Sequence, residues 1–166
     1  MRSRREAGGA EEAREKCLRL LERRGRSGAE LRRRLREAGF ERDVTEAVLG
    51  NLEQAGLVND EEFARAWVAQ RVASGRAGRH KLRWELRAKG IDEGLIRRLV
   101  EAAVDDETEL GQALQLAERR LGDRPRDQLE LLRVRRLLLG RGYDFGVVES
   151  VMRRLSPRSE DLSDDR

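Results

Sequence analysis

Side chains able to carry reaction chemistry are few and scattered in this chain. It holds one histidine, His80, and one cysteine, Cys17. His80 has no serine or cysteine beside it to activate, and it sits among Arg79, Lys81 and Arg83, where a solvated imidazole is expected. Cys17 lies among Leu18, Leu20 and Leu21 and reads as a small buried hydrophobe. A single cysteine forms no internal disulfide, and one residue of each kind supplies neither a multi-cysteine zinc site nor a histidine pair. The acids Asp60-Glu61-Glu62 stand where a helical pattern begins. Carboxylates there meet the positive end of the helix dipole, so capping accounts for them without a metal. Neither a G-x-x-x-x-G-K-[ST] phosphate loop nor a G-x-G-x-x-G turn after a strand occurs. The expectation is a protein that is not an enzyme and has no catalytic, metal or cofactor site.

The abundant chemistry is that of binding. Lys and Arg number 36 against 32 Asp and Glu, a formal charge of only +4, but almost all the cations are Arg. The guanidinium fork suits phosphate and carboxylate, which points to a polyanionic partner. The charge is also concentrated. Arg23 to Arg36 carries seven Arg against Glu30, and Arg71 to Lys89 carries seven cations against Glu85. Arg119 to Arg141 carries eight Arg against three acids, whereas Glu37 to Val58 has five acids and one Arg. Repeated at regular intervals, such elements would form a basic stripe suited to a regular polyanion or an acidic protein groove. With Leu82 and Leu86 facing a core, His80, Arg83, Trp84 and Arg87 point outward at about 100° per residue. An outward Trp84 among cations could stack on a nucleobase, anchor a protein interface or pack on a neighbouring repeat. Phe63 and Trp67, four apart, share a face with Ala64 and belong to a core.

The elements that carry these residues follow from a repeat. Gly39-Phe40, Gly90-Ile91 and Gly142-Tyr143 sit 51 and 52 residues apart. Four residues before the glycines come Leu35, Leu86 and Leu138, and eight before come Leu31, Leu82 and Val134. Five after come Val44, Leu95 and Val147, and nine after come Val48, Leu99 and Val151. Spacing by four marks one helical face, so each block predicts helix, glycine stop, helix. A further helix opens each unit, at about residues 10–24, 60–74 and 106–121. Ser27, Asp43, Asn59 and Asp106 each precede a Glu at capping-box spacing, and Asp92 and Asp144 stand where third helices should start. The predicted fold is all-α: three tandem three-helix repeats at 10–58, 59–104 and 105–155, forming an elongated, curved array of either hand. A repeat of this size is marginal alone and should stack on its neighbours. Residues 1–9 and the acidic run 156–166 are expected to be disordered. The charged start of the chain, with no apolar run of about 18 residues, predicts a cytoplasmic protein without a membrane partner.

The run G-L-V-N-D-E-E-F-A-R-A-W-V-A-Q-R (Gly56 to Arg71), followed by E-L-R-A-K-G-I (Glu85 to Ile91), resembles the signature of the RecX family of bacterial recombination regulators. R-S-G-A-E-L-R-R-R-L (Arg26 to Leu35) and L-L-L-G-R-G-Y (Leu137 to Tyr143) fall where that family's other repeats have similar segments. The resemblance spans about residues 13 to 155 and is sharpest in the middle repeat. One departure is the elbow S-G-R-A-G (Ser74 to Gly78), where the family often carries an aromatic beside the second glycine. The resemblance implies a monomer that lies in the helical groove of the filament formed by RecA on single-stranded DNA, with weaker binding to duplex. It further implies restraint of filament growth, ATP hydrolysis, strand exchange and RecA's co-protease action in the SOS response. Contacts with RecA and DNA would then come from Arg26, Arg32, Arg33, Arg36, Arg76, Arg79, Lys81, Arg83, Trp84, Arg87, Arg133 and Arg136. Two other classes fit the helix–glycine–helix units: a helix-turn-helix-like protein binding duplex directly, and a helical-repeat scaffold binding only protein.

Overall fold

The structure, a computed structural model, describes residues 2–75 and 77–156, with side chains described from Gly9 onward. Among the described residues there are nine helices and no strand. They are α1 (Arg2–Arg23), α2 (Gly28–Glu37), α3 (Arg42–Gln54), α4 (Asp60–Ser74), α5 (Arg79–Ala88), α6 (Glu93–Ala103), α7 (Asp106–Leu121), α8 (Gln128–Gly140) and α9 (Phe145–Leu155). The order is three successive three-helix repeats, as the periodicity predicts.

The glycine stop is the same in all three repeats. Gly39, Gly90 and Gly142 have φ of 87°, 74° and 76°, a conformation that a Cβ disfavours. The following residue then donates its N–H back across the turn: Phe40 to Leu35 O (3.2 Å), Ile91 to Leu86 O (3.1 Å) and Tyr143 to Leu138 O (3.2 Å). This six-to-one bond satisfies a carbonyl that the helix end would otherwise leave unpaired. Leu31, Leu35, Leu82, Leu86, Val134 and Leu138 are all fully buried, so the apolar spacing reads the core face correctly. Val48, Leu99 and Val151 are buried as well, and Val44, Leu95 and Val147 lie half-buried at the core edge.

Helix starts differ in detail from expectation. Ser27 makes the full capping box with Glu30, and Asn59 accepts from Glu62 N (3.1 Å). Asp92 accepts from Leu95 N (3.1 Å) and Asp144 from Gly146 N (2.9 Å). In α3, however, the N-cap is Glu41 and makes no side-chain bond, while Asp43 lies inside the first turn. Glu41 stands in the register of Asp92 and Asp144, but its longer side chain is a poor cap. In α7 the cap is Asp105, bonded to Thr108 N (2.7 Å), so Asp106 is already helical. At the start of the chain α1 reaches back to Arg2, and residues 2–9, read as a disordered tail, continue the helix. Its Arg, Glu and Ala residues are good helix formers. The expected acidic tail lies outside the described residues except for Ser156, the C-cap of α9.

Packing divides the chain into two compact units, Met1–Trp67 with Glu85–Leu99, and Val68–Trp84 with Val100–Arg166. The middle repeat is shared between them. In the first unit, Ala13, Cys17, Leu31, Leu35, Val48, Leu49, Leu52 and Val58 form a core. In the second, Ala113, Ala117, Leu121, Val134, Leu138, Tyr143, Val148, Val151 and Leu155 do the same.

Each unit contains one junction where the start of a second helix meets the glycine turn of the next repeat. In the first unit Ser27 Oγ donates to Lys89 O (2.6 Å), Gly28 N donates to Asp60 (2.8 Å), and Ala29 lies against Gly90 so closely that a Cβ there would come within 2.3 Å. In the second unit Gly78 N donates to Arg141 O (3.0 Å) and His80 N to Gly142 O (3.1 Å). Gly78 and Gly142 are in backbone contact there, and Tyr143 donates its hydroxyl to Gly75 O (3.1 Å). In both cases N–H or O–H donors at one helix start meet carbonyls at another helix end, a favourable alignment of partial charges.

Candidate functional site

The second helices carry most of the basic stretches, and the junctions fix where their side chains go. In the first unit, Arg32 holds Glu46 through two bonds (Nε to Oε1 2.8 Å, Nη2 to Oε2 2.9 Å). This fork raises the Arg32 pKa and lowers that of Glu46. Arg33 stands 3.7 Å from Glu37, which also receives Arg34 at 3.2 Å. Arg87 forms a second fork on Glu93, with Nε at 2.7 Å. Arg26 donates to Leu20 O (3.2 Å); burial, then the neighbouring Arg24, lowers its pKa. Arg36 is exposed and has no ion-pair partner among the described residues.

Lys89, counted in the middle basic stretch, turns inward instead. Its ammonium lies 4.0 Å from the Trp67 ring centroid and 5.5 Å from that of Phe63, and bonds Glu30 at 3.3 Å. Phe63 and Trp67 stack at 6.1 Å, and the indole N–H donates to Glu85 (2.9 Å); both are half-buried rather than in the core, where only Ala64 of that face is buried. Burial pushes the Glu30 carboxyl up, but hydrogen bonds and charge from Arg24 and Lys89 more than reverse this and leave it below the ordinary value.

In the second unit, Arg79 departs most from the outward stripe. Its backbone N–H (2.8 Å) and Nε (2.6 Å) both bind Glu109, which is fully buried, and its Nη2 pairs with Asp106. Arg79 is the first residue of α5, and at the junction its side chain folds onto the incoming acid rather than outward. Arg83 lies 3.7 Å from Glu101, His80 lies 3.2 Å from Asp144, and Arg133 pairs with Glu130. Lys81 is half-buried because its backbone and Cβ pack on Gly142, and it has no ion-pair partner among the described residues. Arg136 is exposed and likewise unpaired. Trp84 is 65% exposed, the most open large hydrophobic side chain among the described residues. Arg76 lies outside the described residues.

Eleven of the twelve expected contact residues are described, and many of them stand in ion pairs with nearby acids. Several are forks held by acids 14 or 30 residues away, which no local spacing announces. Without an ion-pair partner among the described residues are Arg36 in one unit and Lys81 and Arg136 in the other, with Trp84 open to solvent. Sequence reasoning missed Asp60 and Glu109 as junction acids, although each lies six residues beyond the third helix of its preceding repeat. Cys17 is buried and free, and burial pushes its thiol up, away from reactivity. No group of three His, Cys, Asp or Glu residues among the described ones could hold a metal, and no described helix is long and apolar enough to cross a membrane.

Comparison with known proteins agrees with this architecture. Residues 13–52 match the family model described as the first three-helix domain of RecX, and residues 59–99 match the second. The chain is 38% identical over 143 residues to the regulatory protein RecX of Amycolatopsis mediterranei, covering 85% of this chain and 81% of that one. To the regulatory protein RecX of Mycolicibacterium vanbaalenii it is 41% identical, covering 81% and 77%. The crystal structure of RecX from Lactobacillus salivarius superposes with a TM-score of 0.79 at 19% identity, over 90% of this chain and 97% of that one, which shows the shared fold.

Proposed function

This chain belongs to the RecX family of regulatory proteins, and from that premise we propose that it restrains the RecA recombinase. It binds the helical groove of the RecA filament on single-stranded DNA. There it limits filament growth, ATP hydrolysis, strand exchange and co-protease action, so that its role lies in DNA repair and the SOS response. The observation that carries the reading to particular residues is the open Trp84 ring with Lys81, a cation without an ion-pair partner among the described residues, on the same helix. An exposed indole is unfavourable in water unless a partner covers it, and among cations that partner is a base or an acidic protein surface. Arg36 and Arg136, without ion-pair partners among the described residues, add charge on the other two second helices. Arg32, Arg79 and Arg87 act instead by holding the fold.

The test uses Trp84→Ala combined with Arg36→Glu, Lys81→Glu and Arg136→Glu, none of which breaks an internal ion pair. Helicity should be unchanged, and the concentration needed to inhibit RecA's DNA-dependent ATPase should rise at least about tenfold, the scale of one lost hot-spot side chain. Undiminished inhibition by this variant would overturn the assignment of these residues.

A further inference from the structure

Besides the two junctions, the first repeat keeps a glycine turn, and the third a second-helix start, that nothing described engages. A Cβ on Gly90 would come within 2.3 Å of Ala29 Cβ, and one on Gly142 within 2.5 Å of Lys81 N. On Gly39 it would meet nothing described within 4 Å. The residue after the glycine follows the same division: Ile91 and Tyr143 are buried, whereas Phe40 is only half-buried. In the second unit the turn offers the carbonyls of Arg141 and Gly142 to Gly78 N and His80 N. The matching carbonyls of the first repeat, Ala38 O and Gly39 O, accept no hydrogen bond among the described residues.

The third repeat carries the opposite half. Ala29, His80 and Leu132 each stand ten residues before their repeat's glycine. Ala29 lies against Gly90, and the His80 N–H binds Gly142 O, so this is the position that receives a turn. Leu132 is 43% exposed there, and Leu129, in the same turn of α8, is 57% exposed. With Leu131 and Met152 they wall an open apolar groove of about 660 Å³. The charged residues of the wall are already engaged: Asp127 caps α8 through Glu130 N, and Arg135 stands 2.6 Å from Glu149. Gln128 N and Leu129 N, at the start of α8, donate no hydrogen bond among the described residues.

We propose that this groove takes the Gly39–Phe40 turn of a second copy of the chain. Phe40 seats against Leu129, Leu132 and Met152, and the Gln128 and Leu129 amides meet the Ala38 and Gly39 carbonyls. Apolar burial drives the contact, and its hydrogen bonds repeat those made inside the chain. The two faces differ, so the contact is heterologous: each copy keeps one face of each kind, and a row of copies can continue. One turn in one groove buries less than about 1,200 Å² in total, the range of weak and transient contacts, so the chain is a monomer when dilute. On a partner that is itself a repeating polymer, such contacts make occupancy cooperative. That consequence, unlike the contact, rests on the function proposed above.

The test is sedimentation velocity of the full chain from micromolar to millimolar concentration. The mean mass should rise past that of a dimer, and more so in high salt, which screens the +4 charge of each copy. Gly39→Asn blocks the turn, because asparagine tolerates the left-handed region while its side chain projects where the helix start docks. Leu132→Glu places a charge in the groove. Each variant alone should stay monomeric with parental helicity. Their mixture should form a heterodimer and nothing larger, since one keeps the groove and the other the turn, and a misfolded variant could not restore this. A parent chain still monomeric at millimolar concentration would overturn the proposal. So would a closed dimer that Leu132→Glu abolishes and Gly39→Asn spares, because the groove would then pair with itself. Association that appears only once residues 157–166 are removed would overturn it too, because that segment would then be the occupant.

Discussion

The junction between the second and third repeats is most directly probed by Gly78→Ala. Gly78 is not in the left-handed region, so backbone strain plays no part and the effect is one of space. A Cβ there would lie 2.4 Å from Gly142 O and 2.5 Å from both the N and the Cα of Tyr143. All three are backbone atoms at a turn held by the Gly78–Arg141, His80–Gly142 and Tyr143–Gly75 bonds, so none can swing aside as a side chain would. Overpacking typically costs 1–3 kcal/mol, and three immovable contacts place this case near the top, at about 3 kcal/mol. Alanine also restricts the unfolded chain, which returns roughly 0.4–1 kcal/mol. The net loss is about 2 kcal/mol, a fall in Tm of about 4–8 °C at this chain length. Thermal melts followed by circular dichroism read the total, and amide exchange should localise the loosening to the α5 start and the α8–α9 turn. Gly50→Ala in the interior of α3, where nothing lies within 4 Å, is the control and should stabilise by about 0.8 kcal/mol. A Gly78→Ala chain that melts at or above the parent would refute the close approach on which the junction rests.

Two further outcomes follow from the first unit. Gly90→Ala should destabilise through both its positive φ and its clash with Ala29 Cβ, and Ala29→Gly in the same chain should recover only the clash. Thermal melts of the two singles and the double would therefore show positive coupling, and strict additivity would contradict the contact. Glu30, whose carboxyl is held below its ordinary value, contributes stability that is full above that value and is lost as pH falls through the folded pKa. Below pH 4.5, Glu30→Gln should accordingly lose less stability with falling pH than the parent, while being less stable at pH 7; parallel curves would contradict the Arg24–Glu30–Lys89 cluster.

The repeat was legible because two strict requirements recur together. Only glycine enters the left-handed turn cheaply, and only every third or fourth residue faces a core, so Gly39, Gly90 and Gly142 with their flanking leucines fixed the register. Helix starts were legible where a short polar side chain stands at the cap, as at Ser27, Asp92 and Asp144. They were misread at Asp43, because repeat register outranks the local cap motif there and puts Glu41 at the start. The candidate binding surface was only half legible. Trp84 was placed outward correctly from helical phase alone. Arg32 and Arg79 were not, because their partners Glu46 and Glu109 arrive through tertiary packing and neutralise charge that the sequence shows only as a local excess. The two junction acids had a signal, their common distance past the third helix, visible once helix ends are known.

The central claim is that this chain restrains RecA on single-stranded DNA, and the direct measurement uses purified RecA from the same species. RecA filaments assembled on single-stranded DNA should show a saturable fall in ATP hydrolysis and in filament extension as the chain is added. Imaging of the complex should find density for the three repeats in the filament groove. Unchanged hydrolysis and extension at saturating chain, with an empty groove, would contradict the account.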